Sequence, residues 1–182
     1  MSKEISDIEL LEQFRVESTR NLAFNMLVTK YQKRVYWQVR RIIIDHDDAN
    51  DVVQNTFIKV WKNLDGFKEA SRLYTWIYRI ATNESLTFLK QKRAPLYVAF
   101  DKVERGLSRR PDDNYYKGDE IEKKLEQAML TLPEKQRVVF NLRYYDEMPY
   151  EEMSEVLETS VGALKASYHH AVKKIEDFLK NN

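Results

Sequence analysis

Residues 149–179 decide the fold of this chain, because PYEEMSEVLETSVGALKASYHHAVKKIEDFL predicts two helices joined by a very short turn. In the second helix, apolar residues three or four positions apart lie on one stripe, namely Val161, Leu164, Tyr168, Val172, Ile175 and Leu179. The opposite face carries small residues followed by hydrogen-bond donors, namely Ala163, Lys165, Ala166, Ser167, His169, His170, Lys173 and Lys174. Such a face suits a helix that enters a DNA major groove. The pattern favours a DNA-binding helix-turn-helix, and an ordinary amphipathic helical hairpin is the alternative.

The composition of the whole chain favours a helical protein. Charged residues make up 32% of the 182 residues, and only 4 Gly and 4 Pro occur. An aromatic content of 12% argues against a disordered chain. Helical spacing of apolar residues recurs along most of the sequence, and alternating strand patterns are absent. The predicted fold class is all-α, with two small helical domains joined by a linker and a helix-turn-helix as the C-terminal domain.

Several classes of protein are excluded by what the sequence lacks. The chain has no cysteine, which excludes disulfides and zinc-stapled DNA-binding modules with thiolate ligands. No apolar run approaches the ~20 residues that span a bilayer, and no signal peptide pattern begins the sequence. Glycine-rich phosphate loops, HExxH and a serine–histidine–acid arrangement are also absent. We therefore expect a soluble, cytoplasmic protein that is not an enzyme, with no cofactor, no small-molecule substrate and no direct membrane insertion.

Charge is unevenly distributed, although the formal net charge is only +1. Residues 1–93 hold 16 Lys and Arg against 12 Asp and Glu, whereas residues 119–158 hold 5 against 11. Residues 159–182 are basic again, with four Lys against two acids. Positive charge thus gathers in the two segments that the patterns assign to DNA. The acidic stretch between them should weaken long-range steering of nucleic acid.

Helical periodicity predicts three long helices in an N-terminal domain, residues 1–93. The first covers about residues 21–44. The second follows an acidic cluster, in which an aspartate can cap free backbone N–H groups, and Gly66 is placed to end it. The third begins near Ser71, a predicted N-cap, and continues to about residue 93.

Residues 94–118 break the helical pattern with two prolines and two glycines, and we predict a linker between domains there. Within it, Leu96, Tyr97, Val98 and Phe100 are apolar enough to dock on a partner. Residues 119–182 form the predicted C-terminal domain, with helices at about 119–130, 133–145, 149–157 and 160–179.

A second stripe on the third helix combines cations, an aromatic ring and an amide, namely Arg72, Trp76, Arg79, Asn83, Thr87 and Lys90. Stacking on an aromatic side chain is worth ~1 to 3 kcal/mol per unpaired base, while cations hold phosphates and an amide reads a base edge. The stripe therefore predicts a reader of single-stranded or melted DNA. The alternative is that Trp76 belongs to the core and the cations form a solvated face.

Carboxylates cluster at the start of the second helix, with Asp45, Asp47, Asp48 and Asp51 followed by Gln54. A hard cation needs oxygens that converge from a loop with a glycine, and no such loop pattern is present. Carboxylates and an amide on one helix face suit bidentate contacts with an arginine-rich protein surface. We predict a protein partner here, with a helix cap plus solvated acids as the alternative.

Four segments match a known family in order and spacing. Residues 48–66, DANDVVQNTFIKVWKNLDG, resemble D-A-E-D-hydrophobic-hydrophobic-Q-x-x-F, the segment that docks bacterial sigma factors on RNA polymerase. Residues 75–83, TWIYRIATN, are similar to T-W-L-Y-R-I-A-x-N of the extracytoplasmic-function (ECF) group. Residues 131–137, TLPEKQR, resemble its L-P-x-x-x-R, and residues 150–171 resemble its helix-turn-helix.

The resemblance implies a sigma factor with domain 2 at residues 1–93 and domain 4 at residues 119–182, and without the middle domain of primary sigma factors. It implies contact with core RNA polymerase through Asp48, Asp51, Gln54 and Phe57. Melted bases of the minus 10 element would bind the stripe from Arg72 to Lys90, and duplex at the minus 35 element would bind Lys165, Ala166, Ser167, His169, His170 and Lys173. Residues 94–118 would thread channels of the polymerase, and an inhibitory anti-sigma factor is a frequent partner in this group.

The chain also departs from the family pattern. Thr87 stands where many relatives have Asp or Asn, which implies a different base preference in the minus 10 element. Trp76-Ile77 stands where primary sigma factors have two tryptophans, which implies weaker melting. Residues 165–170, KASYHH, lack the two arginines of K-S-R-x-x-R. Glu158 replaces the turn glycine, at a cost of about 1 kcal/mol if this position has a positive φ.

Two other hypotheses remain open beside a promoter-specificity subunit that performs no bond chemistry. A conventional helix-turn-helix transcriptional regulator, with an N-terminal dimerisation or sensing domain, would bind palindromic duplex DNA without polymerase. A purely protein-binding helical adaptor would keep its function when Lys165 and Lys173 are replaced by Ala.

Overall fold

The computed structural model describes residues 5–68, 71–93 and 120–181. The helices of these residues are α1 (Asp7–Arg15), α2 (Arg20–Ile43), α3 (His46–Asn63), α4 (Leu73–Arg93), α5 (Glu120–Leu130), α6 (Glu134–Tyr144), α7 (Tyr150–Leu157) and α8 (Val161–Asn181). Among the described residues there is no β-strand, and the predicted all-α class is confirmed. The predicted linker, residues 94–118 with its apolar stretch, lies outside the described residues.

Polar side chains begin two of the N-terminal helices. Ser6 and Glu9 form a capping box at the start of α1. Asp45 accepts hydrogen bonds from the backbone N–H groups of Asp47 and Asp48, so the predicted aspartate cap of α3 is confirmed. Ile44, between α2 and α3, has a φ of 74°, and this unusual backbone lets one helix follow the other without a loop.

Three details differ from the sequence-based expectation. Gly66 does not end α3 with a positive φ; instead α3 ends at Asn63 and a 3-10 turn covers Leu64–Gly66. α4 begins at Leu73, so that Arg72, and not Ser71, precedes its first residue. On α3 the apolar spacing predicts an inward stripe that begins at Val53, but Val52 is buried and Val53 only half-buried, whereas Phe57 is buried as expected.

The N-terminal unit, α1–α4, buries its apolar stripes in one core. α2 contributes Leu27, Tyr31, Val35, Val39 and Ile42, each at most 4% exposed. Gln38 is also buried on α2, and its amide donates hydrogen bonds to the Thr82 hydroxyl, at 2.8 Å, and to the Tyr78 carbonyl, at 3.4 Å. These bonds fix the rotation of α4 against α2, because a buried amide is costly without its partners.

The C-terminal unit, α5–α8, has a smaller core of its own between α5, α6 and α8, formed by Ala128, Met129, Leu132, Phe140, Ala171 and Ile175. The core of the N-terminal unit, however, continues into this unit. Met153 and Val156 of α7 and Leu142 of α6 belong to the same buried cluster as Ile77 and Tyr78 of α4. The two units are therefore docked on each other, with α4 against α7 and α2 against α6.

Candidate nucleic-acid interface

α7 and α8 form the predicted helix-turn-helix. Glu158 ends α7 in the left-handed region, with φ 50° and ψ 41°, so the position of the replaced glycine does have a positive φ. Ser160 then accepts a hydrogen bond from the Ala163 backbone N–H at 3.3 Å and begins α8. Met153, Val156 and Leu164 are buried where the two helices meet, which sets the angle at which α8 leaves the turn.

The two faces of α8 are almost those predicted. The exposed side chains include Ala163, Lys165, Ala166, His169, His170, Lys173 and Lys174, and Ser167 is half-buried. The inward stripe differs at its end, because Leu179 is 37% exposed while Ala171 is fully buried. The stripe averages 3.6 residues per turn, so Leu179 keeps the helical phase, and it is exposed because it lies past Ile175, the last buried residue of α8.

Aromatic rings lie beneath the start of the exposed α8 face. The Lys165 ammonium lies 5.6 Å from the centre of the Tyr150 ring, and the Arg143 guanidinium lies 5.1 Å from the same ring. Tyr150 in turn contacts Tyr168 edge-on. Burial raises the pKa of Tyr168, so that its hydroxyl stays protonated. The two cations are thus held at the surface by uncharged aromatic rings that lie beneath them.

The distal part of the α4 stripe is open to solvent. Asn83, Thr87 and Lys90 are exposed on one side of the helix. Trp76 is half-buried, with its ring 5.2 Å from that of Phe67. Trp76 therefore packs partly inward, while part of it remains accessible.

The proximal part of the stripe faces α7 and is paired with carboxylates. Arg72 lies 3.3 Å from Glu152, whose carboxylate also accepts a hydrogen bond from Thr75 at 3.4 Å. Arg79 pairs with Glu158. The acidic segment, residues 119–158, thus contacts the basic N-terminal segment directly.

Another ion pair between the two units involves a half-buried carboxylate that follows α6. Asp146 lies 3.7 Å from the Arg41 guanidinium of α2, which also lies 4.1 Å from the centre of the Tyr145 ring. Burial raises the pKa of Asp146 to about 6, although Arg41 and Arg34 act to lower it. Burial and the charge of Asp146 raise the pKa of Tyr78 to about 12. Docking therefore carries a desolvation cost for this carboxylate.

The C-terminal unit also closes the end of α2. The Arg137 guanidinium donates to the Ile42 carbonyl at 3.1 Å, and the Asn141 amide donates to the Arg41 carbonyl at 3.3 Å. The last carbonyls of a helix have no partner within the helix, so these side chains satisfy groups that would otherwise need water. Arg137 is the arginine of TLPEKQR, and it serves here in a contact between the two units.

The proposed protein-binding face lies on α3. Asp51 and Gln54 are exposed, and Ile58, on the same side of the helix, is 45% exposed. Phe57 is buried in the core, and Asp48 pairs with Lys92 of α4. Two of the four predicted residues thus face solvent and two hold α3 in place, while Ile58 was not predicted.

Two structural findings concern other kinds of site. In the parts of the chain that the structure describes, no three His, Asp or Glu side chains converge as ligands for a metal ion. Over the same residues, no helix combines the length and the apolar character that a bilayer crossing requires.

Comparison with known proteins gives two family matches on separate parts of the chain. Residues 27–94 match Sigma-70 region 2, and residues 122–175 match Sigma-70, region 4. The ECF RNA polymerase sigma-E factor of Escherichia coli is 32% identical over 188 aligned positions, which cover 97% of this chain and 96% of the relative. The chain belongs to the ECF sigma factors of the sigma-70 family.

This sigma factor therefore acts in promoter-specific initiation of DNA-templated transcription, and a conventional helix-turn-helix regulator is not favoured. Sigma factors are regulatory subunits and not catalytic ones. The ECF sigma-E factor of Haemophilus influenzae is 31% identical, with 97% of each chain covered.

Two solved structures share the fold of this sigma factor. Sigma factor RpoE in complex with the anti-sigma factor NepR, from Bartonella quintana, superposes with a TM-score of 0.70 at 21% identity, over 86% of this chain and 96% of that one. CnrH in complex with the cytosolic domain of CnrY gives a TM-score of 0.67 at 24% identity, over 95% and 96%.

Proposed function

We propose that three exposed helix faces divide the work of initiation in this sigma factor. α3 docks on core RNA polymerase, α4 holds the melted minus 10 strand, and α8 reads the minus 35 duplex. One observation carries the proposal: the three faces lie on different helices, and each exposes the chemical groups that its ligand requires. Binding at one face then leaves the other two available.

The domain boundaries follow the same division. Residues 1–93 would bind polymerase and the minus 10 element, and residues 119–182 would bind the minus 35 element. The region 2 and region 4 matches, residues 27–94 and 122–175, fall on the corresponding parts of the chain and support this assignment.

On α3, Asp51, Gln54 and Ile58 form the proposed polymerase contact. Their spacings of three and four residues keep them on one side of the helix. An exposed apolar residue beside polar groups is typical of a protein interface, in which an apolar centre is surrounded by a polar rim. Asp48 and Phe57 act through position, because the Lys92 pair and the core hold α3 in its orientation.

On α4, the proposed strand contacts are Arg72, Trp76, Arg79, Asn83, Thr87 and Lys90. The accessible part of the Trp76 ring offers a stacking surface, and Asn83 offers a donor and an acceptor to one base edge. Thr87 can make only a single hydroxyl contact, so we expect a weaker preference at its base than an amide would give.

On α8, the proposed duplex contacts are Lys165, Ala166, Ser167, His169, His170 and Lys173. Small side chains at Ala166 and Ser167 let the helix approach the groove closely. Ser167 and His170 replace arginines at the two positions where the family pattern has a guanidinium, so the bidentate contact of arginine with guanine is lost there. We therefore expect a minus 35 sequence that is read less through guanine.

An anti-sigma factor is the third proposed partner, beside core polymerase and promoter DNA. The similar RpoE structure contains such a protein, which supports the expectation for this chain. Because polymerase works in the cytoplasm, we place this sigma factor there. It would perform no bond chemistry of its own.

The first test measures association with core RNA polymerase. The purified wild type should co-elute with core polymerase one to one, and Asp51→Arg should not, because it reverses a charge at the contact while leaving the core intact. Glu17→Arg, an equal reversal at an exposed residue outside α3, is the control. Unchanged binding by Asp51→Arg would reject the α3 assignment.

The second test separates strand capture from polymerase binding. Asn83→Ala should bind core polymerase like the wild type but open promoter DNA poorly, since an exposed amide contributes to DNA contact and not to the fold. Promoter opening is followed by permanganate reactivity of unpaired thymines. Loss of polymerase affinity in Asn83→Ala would show that the faces are wrongly assigned.

A further inference from the structure

We propose that α8 binds duplex DNA in a proton-dependent way: His169 and His170 contact the DNA as imidazolium cations, and the helix takes up protons when it enters the groove. The inference rests on the function proposed above for α8. It adds a property that arginines would not give to this helix, because a guanidinium stays charged throughout the physiological pH range. A fall in pH around the protein would then raise its affinity for the minus 35 duplex.

The two histidines lie together on the exposed face of α8, on the side opposite to the core. Their ring centroids are 6.0 Å apart, and the ring planes are inclined by 58°. Ala166 lies one turn before both rings, and its small side chain leaves room beside them for an approaching strand. The pair is therefore placed to reach DNA together.

The charge beside the histidines is positive. Three lysines lie one helical turn before or after one of the two histidines, namely Lys165, Lys173 and Lys174. Residues 161–175 contain no Asp or Glu, and the next acid, Glu176, lies 4.0 Å from Lys180. An anionic strand that approaches the two rings therefore meets cations and no carboxylate on this part of the helix.

The helices packed against α8 leave the histidines to solvent. α5 meets α8 at Ala171 and Ile175, on the buried side. The groups that α6 and α7 bring to the exposed face, Arg143 and Tyr150, lie at its start beside Lys165. The electrostatic environment of the two imidazoles is thus set by the cations of α8 itself and by whatever anion binds there.

Protonation changes what an imidazole offers to DNA. The neutral ring has one N–H donor and one acceptor nitrogen, whereas the imidazolium has two donors and a positive charge. These donors can serve a phosphate oxygen or the O6 and N7 acceptors of guanine. At His170, where the family pattern has an arginine, the charged ring therefore supplies part of what a guanidinium would supply.

Proton uptake follows from the charges on the two partners. Histidine is the side chain that ordinarily changes its charge between about pH 5 and pH 8. Two imidazolium rings 6.0 Å apart, beside three lysines, repel each other, and DNA phosphates offset this repulsion. The charged rings are thus more favourable on DNA than in the free chain. By linkage, the affinity for duplex rises as pH falls through this range, and the gain is lost as pH rises above it.

The test is fluorescence anisotropy of the full chain with a labelled duplex of about 25 base pairs of mixed sequence, over a series of salt concentrations. The wild type should bind about tenfold more tightly at pH 6 than at pH 8, because each charged histidine adds a phosphate contact. The slope of log affinity against log salt should be steeper at pH 6 by about one to two, or about one for each such contact.

Two variants isolate the histidines. His169→Gln/His170→Gln should bind equally well at both pH values and with one salt slope, because glutamine keeps a donor and an acceptor but carries no charge. His170→Arg, which carries a fixed charge, should bind more tightly than the wild type at pH 8 and reduce the pH dependence to about threefold. An unchanged pH dependence in the glutamine variant would overturn the proposal.

Two other groups must be separated from this response. His46, at the start of α3, is the third histidine of the chain, and burial raises the pKa of Asp146 to about 6. His46→Gln and Asp146→Asn should each keep the pH dependence of duplex binding, since neither residue lies on α8. Loss of the dependence in either variant, with both α8 histidines intact, would assign it to that group and overturn the proposal.

Failure of the proposed function has a different signature. Lys165→Ala/Lys173→Ala removes two cations of the same face and should weaken duplex binding at both pH values. Unchanged binding in this variant would reject α8 as the duplex reader. If this variant weakened binding while the glutamine variant kept the full pH dependence, α8 would remain the reader and only the proton dependence would be rejected.

Discussion

The α4 face and the α8 face of this sigma factor carry similar donors but differ in what covers them. Lys165 and Lys173 of α8 are exposed to solvent, and Lys165 lies over the Tyr150 ring. Arg72 and Arg79 of α4 are paired with carboxylates from the other unit. Each face is regular in sequence, yet only one is free to meet a phosphate. A charge pattern thus shows what a helix can bind, whereas packing decides when it can bind.

The difference also divides α4 itself. Its first two turns are covered, whereas Asn83 and Lys90 further along are exposed. A helix of 21 residues is about 30 Å long, so one end can be buried in an interface while the other stays open. The boundary between the covered and open parts lies between Arg79 and Asn83.

The largest effect on this comparison is expected from Arg137→Ala, which removes a buried guanidinium at the contact between α6 and α2. The Ile42 carbonyl loses a charged donor, and we expect the free energy of unfolding to fall by about 2 kcal/mol. Urea denaturation measures the fall. The distribution of distances between spin labels at Lys33→Cys and Lys174→Cys, one in each unit, should broaden at the same time. Lys135→Ala, at an exposed residue of the same helix, is the control. A stable, still docked Arg137→Ala protein would contradict the role given to this contact.

Acidification is expected to favour the docking of the two units on each other. Burial raises the pKa of Asp146 to about 6, and the groups that act on it, Arg41, Arg34 and Tyr78, belong to the other unit. We therefore expect the docked form to bind a proton more tightly than an open form in which Asp146 meets water. Docking is therefore favoured most at low pH and loses this contribution as pH rises through about 6. Between pH 7.5 and pH 5 the docking equilibrium should gain about tenfold, or ~1.4 kcal/mol.

Asp146→Asn isolates this dependence, because the amide does not titrate. The groups that act on Asp146 are Arg41 and Arg34 of α2 and Tyr78 of α4. The measurement is the distance between two spin labels, one in each unit, attached at Lys33→Cys and Lys174→Cys. It needs no DNA. An equal pH response in the wild type and in Asp146→Asn would rule out this carboxylate as the cause.

A smaller effect is expected from Glu158→Gly, which relieves the strain of a side chain at positive φ but removes the ion pair with Arg79. At high salt the exposed pair is screened, and we expect the free energy of unfolding to rise by about 1 kcal/mol. At low salt the gain should shrink, because the Arg79 contact is lost. Glu147→Gly is the matched control, since Glu147 also has a positive φ, at 49°. Its gain should be the same at both salt concentrations.

The smallest effect concerns the open face. Lys173→Ala should lower the affinity of the free chain for duplex DNA and reduce the salt slope of binding by about 1, as loss of one phosphate contact predicts. The change should be the same in the wild type and in Glu152→Gln/Glu158→Gln, because these two carboxylates pair with Arg72 and Arg79 and not with Lys173. Lys180→Ala, near the end of the helix, is the control. A loss that depends on Glu152 and Glu158 would show that the two faces are not independent.

Much of the fold was predictable because it follows from local rules. The helical stripe of α2, from Leu27 to Ile42, is buried as its spacing requires. Asp45 caps α3, and Glu158 has the positive φ that its place in the turn demanded. Each of these features depends on residues a few positions apart.

The errors arose where a pattern was extended beyond its range. Leu179 continues the spacing of the α8 stripe but lies past the end of the core, so it is exposed. Ile58 continues the face of Asp51 and Gln54, but its apolar character alone does not show whether it faces the core or the solvent. Its exposure depends on the neighbours of α3 and not on its own spacing.

The sequence by itself determined the helices, the faces of α4 and α8, the capping of α3 and the family resemblance, because short-range periodicity and motif spacing carry all of these. Only the tertiary structure decided that Glu152 and Glu158 meet Arg72 and Arg79, and that Arg137 closes the end of α2. The paired residues are about 80 to 95 positions apart, and no local rule acts over that separation. The net charges of the segments do not specify these contacts, because the choice of partners depends on how two buried surfaces fit together.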